Sequence, residues 1–229
     1  MMEIEVRWSP PLPAEERYLR LLDEVEQGRF AAYRQDADKR RFLTGRVLAK
    51  TVAAERLGLT AEAVKFDATC EDCGKPHGRP RVPGADLALS ISHSGELIGV
   101  AATPSVPVGL DVETATRRAD EGLIDYALSP AEAAHLANLD PDEKAAAFFV
   151  YWTRKEAVMK ATGKGLRIPL QSITFSRYDE PARLAASETP ALDPATTRLA
   201  DLKAADGYRA AIAVLTTEEL SVTEEHWVP

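Results

Sequence analysis

Apolar positions recur at near-helical spacing through residues 36–57, where Phe42, Leu43, Val47, Leu48, Val52 and Leu57 precede a stop at Gly58. That pattern predicts a helix, and residues 14–34 predict another before it. From 59 to 86 the period is broken by Gly74, Pro76, Gly78, Pro80, Pro83 and Gly84, which predicts an extended loop. The period then shortens. "DLALSISHSGELIGVAATPSVPVGLDVE" predicts three strands, at about 87–92, 97–103 and 108–113, with turns at 94–95 and 104–107. Helical signals return at Ser129-Pro130-x-Glu132 and at Asp140-Pro141-Asp142-Glu143. In the second, Asp140 stands as N-cap, Pro141 at the first helical position and Glu143 in capping-box place. This last helix is predicted to run through Trp152 and Glu156 to about Ala161. Strand-like stretches at 172–178 and 208–215 follow, flanking a Pro/Ala/Thr-rich loop around 180–198.

Helices followed by strands therefore occur twice, in halves of similar length, with no repeat of residue identity. The expectation is an α+β fold of two similar α/β subdomains packed as a pseudo-dimer within one chain, divided as 1–105 and 106–229. A chain of 229 residues has ample length for such a core. No apolar run approaches the roughly 18 residues of a membrane span, and the N-terminus lacks a basic region followed by an apolar stretch. A cytoplasmic location, no membrane association and a monomer are expected.

The net charge of −8 argues against bulk nucleic-acid binding, which needs a basic surface. The cations are nevertheless clustered. Residues 34–46, 75–81 and 154–167 hold 13 of the 28 Lys and Arg in 34 positions, where an even spread would place about four. Such islands suit a small polyanionic ligand, or equally three solvated faces. Cys70 and Cys73, with His77 close behind, make half of a zinc site; no second Cys/His pair completes four ligands, which favours two reduced thiols in a loop.

Candidate chemistry gathers in two places. In "VGLDVE" the alternation of a strand puts Asp111 and Glu113 on one face, a hard oxygen pair suited to Mg2+ or, read plainly, an exposed acidic strand end. On the long helix, Trp152, Glu156 and Lys160 share a face by their spacing of four, with Lys155 beside them. That face is either a solvated ion pair or, given the bulky run at 148–152, one turned to a cleft, where a third carboxylate completes a metal site or acts as a base.

"GLDVE" and "FFVYWTRKEAVMKATGKGL" resemble the two signature motifs of the 4′-phosphopantetheinyl transferases. "SISHSGELIGVA", "GRP" at 78–80 and "RRFLTGRVLAK" at 40–50 are similar to the family's earlier motifs, in correct order over roughly residues 40–166. The length resembles the two-subdomain, surfactin-synthetase-activating type. The resemblance implies Mg2+-dependent transfer (Mn2+ as an alternative) of the phosphopantetheine arm of coenzyme A to a serine of an apo-acyl or peptidyl carrier protein, releasing adenosine 3′,5′-bisphosphate. It implies Asp111, Glu113 and Glu156 as metal ligands, and Glu156 also as general base. Lys155 and Lys160 would contact phosphate, with Lys160 stabilising charge on the bridging oxygen. His93 would contact a CoA phosphate, and Arg41 and Arg79 the nucleotide's 3′-phosphate. Lys155 and Lys160 are expected to lower the pKa of Glu156.

Two other classes compete. A different phosphoryl or nucleotidyl transferase would carry a phosphate-cradling G-x-x-x-x-G-K-[ST] loop, and none is present. A non-catalytic CoA- or carrier-binding module would not need Asp111 and Glu156 intact. For the acidic carrier, "TATRRADEGLIDYALS" (114–129) offers Arg117 and Arg118 ahead of Leu123, Ile124, Tyr126 and Leu128; it is read either as a docking patch or as an amphipathic connector.

Overall fold

The computed structural model describes residues 1–70, 73–76, 78–115 and 119–228. Strand β1 (Met2–Ser9) opens the chain, followed by helices α1 (Glu16–Leu19), α2 (Glu24–Ala32) and α3 (Asp36–Leu57). Strands β2 (Ala88–Ser94), β3 (Leu97–Thr103) and β4 (Val108–Thr114) come next, then helices α4 (Glu121–Ala127), α5 (Pro130–Leu136) and α6 (Pro141–Thr162). A hairpin of β5 (Ile173–Phe175) and β6 (Leu184–Ser187) precedes β7 (Arg198–Leu202), β8 (Tyr208–Val214) and β9 (Leu220–His226).

The expected repeat is present as topology. In the first half β1 leads into α3, and the β2–β3 hairpin returns with β3 central in the order β2-β3-β1. In the second half β4 leads into α6, and the β7–β8 hairpin returns with β8 central in the order β4-β8-β7. Helices α3 and α6 are each 22 residues long, and each ends on a left-handed glycine, Gly58 (φ 66°) and Gly163 (φ 69°). Without a Cβ, glycine enters that region with no steric penalty, so both helices stop in the same manner.

Packing forms four layers. Leu48, Val52 and Ala53 of α3 cover Leu89, Val100 and Ala102 of the first sheet. The opposite face of that sheet (Ile4, Val6, Trp8) packs on Val108, Leu110, Ile212 and Val214 of the second. The second sheet's far face carries α6, through Ala157, Val158 and Ala161 against Ala211 and Ala213. Contact of α6 with β4 is close enough that a Cβ on Gly109 would lie 1.9 Å from the Ala157 carbonyl oxygen. No side chain fits there, so the glycine of "GLDVE" is a packing requirement.

Sequence and structure differ in four places. The helix expected over 14–34 is broken, because Asp23 accepts from Glu26 N and restarts the chain as α2 in a capping box. Strand β1 was not foreseen, although "MEIEVRWS" alternates buried Met2, Ile4 and Val6 with more exposed neighbours. The loop around 180–198 contains β6, and β7 begins at its end. Finally, β9 returns across the boundary expected at 105/106 and pairs in parallel with β1, from Met2↔Leu220 to Trp8↔His226. It closes an edge of the first sheet that would otherwise stay open. Among the described residues, no helix is long and apolar enough to cross a membrane.

The halves also meet along β2 and β4. The hydroxyls of Ser90, Ser92 and Ser94 accept from the backbone N–H groups of Leu110 (2.9 Å), Val112 (3.3 Å) and Thr114 (3.2 Å). These are the donors that β4 does not spend on β8, so serine side chains finish an edge that a further strand would normally finish. Ser90→Ala should leave the buried Leu110 N–H without a partner and cost about 1–3 kcal/mol. Equilibrium denaturant unfolding measures this; unchanged stability would show the seam to be dispensable.

Candidate active site

The seam serines also orient the acid pair. Ser92 donates to Asp111 Oδ1 at 2.9 Å and Ser94 donates to Glu113 Oε2 at 2.8 Å. Each hydroxyl thus accepts from one backbone N–H of β4 and donates to the carboxylate just before it. Asp111 and Glu113 lie on the face of β4 that α6 covers, as the alternation required. Lys160 reaches from α6 to this point, its Nζ donating to Asp111 Oδ1 (2.7 Å), Ser92 Oγ (2.9 Å) and Leu110 O (3.0 Å).

Glu156 lies one turn earlier on α6, half-buried. Its pKa is raised, first by burial and then by the charges of Asp111 and Glu113, with Lys160 only partly offsetting them. The expected lowering by two lysines is thereby corrected. Three carboxylates sense one another here, and Lys160 is the cation that acts on Glu156.

Lys155 does not join this group. It is fully buried on another face of α6, and its Nζ contacts Glu132 Oε2 at 2.8 Å, Leu170 O at 2.9 Å and Ile173 O at 2.7 Å. All three ammonium donors are spent, so the expected phosphate contact is replaced by a structural strut. Glu132, also fully buried, completes the knot by accepting from Ser129 N and Phe175 N. Arg154 is likewise buried, paired with Asp201 and three backbone carbonyls. The turn of one residue between Lys155 and Glu156, about 100° around a helix, separates strut from site.

Lys160 borders a cleft of about 820 Å3 at the junction of the halves. Its walls come from the end of α2, α3, β2, residues 69–70 and 78–81, and the C-terminal end of α6 with the turn after it. Among the described residues, eight that line it are Lys or Arg, and none is Asp or Glu. Besides Lys160, three of the expected ligand residues are here. Arg41 is braced by Gly95 O (2.8 Å) and Asp38 Oδ1 (2.9 Å). Arg79 donates to the α6 carbonyls of Lys160 and Ala161, which ties the loop to the helix end. His93 projects into the cleft, where surrounding protein, then Lys160 and Arg41, lower its pKa. Arg29, Arg46, Arg81, Lys164 and Arg167 line the same cleft. Their positions within or beside the basic islands were the only signal for them in the sequence.

Asp111 is 4% exposed, and its buried Oδ2 has no hydrogen-bond partner among the described residues. An orphaned carboxylate oxygen beside a glutamate of raised pKa is an arrangement that a divalent cation would complete. Among the described residues, however, no three His, Cys, Asp or Glu already stand as a group able to hold a metal. Asp111, Glu113 and Glu156 fit Mg2+ by donor chemistry, without forming a closed cage. Cys70 and Cys73 carry no disulfide, and His77 lies outside the described residues.

Two family models cover the chain in succession. Residues 6–105 match the N-terminal model of 4′-phosphopantetheinyl transferases, and residues 107–213 match the model of the 4′-phosphopantetheinyl transferase superfamily. A 4′-phosphopantetheinyl transferase of Bacillus subtilis is 33% identical over 175 residues, covering 74% of each chain. The chain belongs to the 4′-phosphopantetheinyl transferase superfamily. The transferase HetI of Nostoc sp. is 33% identical over 77% of this chain and 76% of its own. Sfp of Bacillus subtilis is 29% identical over 74% of each. The serine seam, acid pair and basic cleft of this transferase all fall inside the matched segments.

Two outcomes follow from the geometry. Lys155→Met should leave Glu132 as a buried unpaired charge and cost about 3–5 kcal/mol in denaturant unfolding. CoA affinity of the folded protein should be unchanged; loss of affinity at unaltered stability would restore a phosphate role to Lys155. For Glu156, a raised pKa means the folded chain holds the proton more tightly than the unfolded chain. That stabilisation is complete at low pH and is lost as pH rises through the raised value. In chelator, Glu156→Gln should therefore melt above the parent at about pH 8 and converge with it near pH 4 or below, the ordinary glutamate range. A difference independent of pH would contradict this.

Proposed function

We propose that this transferase moves the 4′-phosphopantetheine arm of coenzyme A to a serine of an apo-acyl or peptidyl carrier protein, with Mg2+ as the metal. The observation that carries the reading is the continuity of a cleft lined, among the described residues, by cations and no acid with the acid pair of Asp111 and Glu113 through one side chain, Lys160. A polyphosphate substrate needs both. The cleft holds its anionic nucleotide end, and Asp111, Glu113 and Glu156 would hold the cation. When bound, Mg2+ neutralises pyrophosphate oxygens and makes the bond between phosphoryl group and leaving group easier to break.

The chain's own groups do the rest. Arg41, Arg79 and His93 orient the nucleotide, with residues 1–105 supplying most of these contacts and 106–229 supplying the acids. Lys160, anchored at Ser92 and the Leu110 carbonyl, stands where its charge can be shared between Asp111 and a phosphate oxygen. Glu156 accepts the proton of the attacking serine hydroxyl; burial and the charges of Asp111 and Glu113 raise its pKa in the metal-free site, and a bound cation would pull it back down. The leaving adenosine 3′,5′-bisphosphate keeps the cleft's cations as counter-charge.

Carrier docking is read on the segment that leaves the acid strand. Ile124 and Leu128 pack into the core there, Leu123 packs against it, and Tyr126 is 56% exposed. The connector role is thus met by the leucines and Ile124, and Tyr126 remains for a partner; Arg117 and Arg118 lie outside the described residues. A monomeric, cytoplasmic protein fits this reading.

The test incubates apo-carrier protein with the transferase, CoA and Mg2+ and weighs the carrier. Gain of one phosphopantetheine mass is expected, abolished in Asp111→Ala and in chelator and reduced about 10²–10⁴-fold in Glu156→Gln, the usual contribution of a positioned base. Unmodified carriers of both classes would overturn the assignment, and full activity of Asp111→Ala would remove the acid pair from it.

A further inference from the structure

A buried charge cluster stands behind the cleft wall. Lys50 is fully buried in α3, and its Nζ contacts Glu26 Oε2 at 2.8 Å and the Leu21 carbonyl at 2.8 Å. Arg46, one turn earlier and 6% exposed, lines the cleft. Its Nε lies 3.7 Å from Glu26 Oε1, too far for a hydrogen bond. Arg46 Nη1 and Glu26 Oε1 are both buried without a hydrogen-bond partner among the described residues. The guanidinium is held by aromatic rings instead, 5.4 Å from the centre of Phe42 and 5.8 Å from that of Phe66.

The charges that act on Arg46 are Glu26, Asp23 and Arg29, with Lys50 behind Glu26. Three cations face two carboxylates, and Asp23 is already turned to the α2 N-terminus, where it accepts from Glu26 N. Arg29 makes no hydrogen bond or ion pair among the described residues, although its guanidinium lies 5.0 Å from the Phe42 ring centre. A desolvated cation with an incomplete partner is costly to the fold unless an anion is supplied. Here the open side of Arg46 is the cleft.

We propose that Lys50 is a positioning residue for anion binding: it neutralises Glu26 from within the core and so leaves Arg46 available to a phosphate of the ligand. Without the Lys50 ammonium, Glu26 would draw the Arg46 guanidinium into a direct pair and away from the cleft. The inference deepens the reading of the cleft as a phosphate-bearing nucleotide site and rests on it only for the identity of the ligand. Either a phosphomonoester or a pyrophosphate group has the required chemistry.

The experiment is equilibrium binding of two probes, adenosine 3′,5′-bisphosphate and inorganic pyrophosphate, to the full chain in chelator. Lys50→Met should weaken binding roughly tenfold, the scale of one charge-assisted hydrogen bond, and Lys50→Arg should restore it. Glu26→Gln should move affinity the other way, by freeing Arg46 altogether. Loss confined to the bisphosphate assigns Arg46 to a phosphomonoester; loss confined to pyrophosphate assigns it to the bridging group. Parental affinity in folded Lys50→Met, or failure of Lys50→Arg to rescue, overturns the proposal. Should Lys50→Met not fold, Glu26→Gln decides alone, and unchanged or weakened binding there overturns it. A chain that behaves as expected here yet modifies no carrier would overturn the transfer reaction and leave this inference standing.

Discussion

The open edge of β4 is the constraint on which the molecule depends. An edge strand with unspent N–H groups must be covered, and here the cover is a row of serine hydroxyls from the other half. Backbone pairing would have fused the two sheets into one surface. A hydroxyl, which accepts and donates at once, satisfies the edge and still has a proton to give. Ser92 and Ser94 give theirs to Asp111 and Glu113. One set of bonds therefore fixes the register of the halves, the direction of both acids and the anchor of Lys160.

Charge is arranged by the same economy of position. The protein is acidic overall, yet among the described residues the cleft wall carries cations and no carboxylate. Helix α6 divides its cations by face. Arg154 and Lys155 are buried as struts that hold the 170–180 segment and β7, while Lys160 turns to the acids and the cleft. Burying a charge is tolerated only with complete pairing, which Lys155 has and Arg46 lacks. Full pairing deep in the core, as at Lys155, marks structure, whereas Lys160 and Arg46 both line the cleft, where a cation can also face a ligand.

Much of this was legible in the residues. Strand alternation alone placed Asp111 and Glu113 on one face, and helical spacing placed Glu156 and Lys160 together. Capping chemistry located the starts of α5 and α6, because Ser129 and Asp140 satisfy the first helical N–H groups. Basic islands located the cleft. Local rules also marked β1 by its alternation, a signal available but unread.

What the sequence determined by itself was therefore everything set within a few residues: periods, caps, faces and the motif order that marks the family. Only the tertiary structure decided which neighbours those faces met. Lys155 and Lys160 are alike as residues, but Glu132 captured one and Asp111 the other. The pKa of Glu156 followed burial and two distant carboxylates rather than the adjacent lysine in the chain. Strand β9 joined β1 across 218 residues of sequence, in the register Met2↔Leu220. Side-chain identity is local, whereas desolvation, charge pairing and edge closure depend on what folding brings near, and no spacing along the chain encodes that distance.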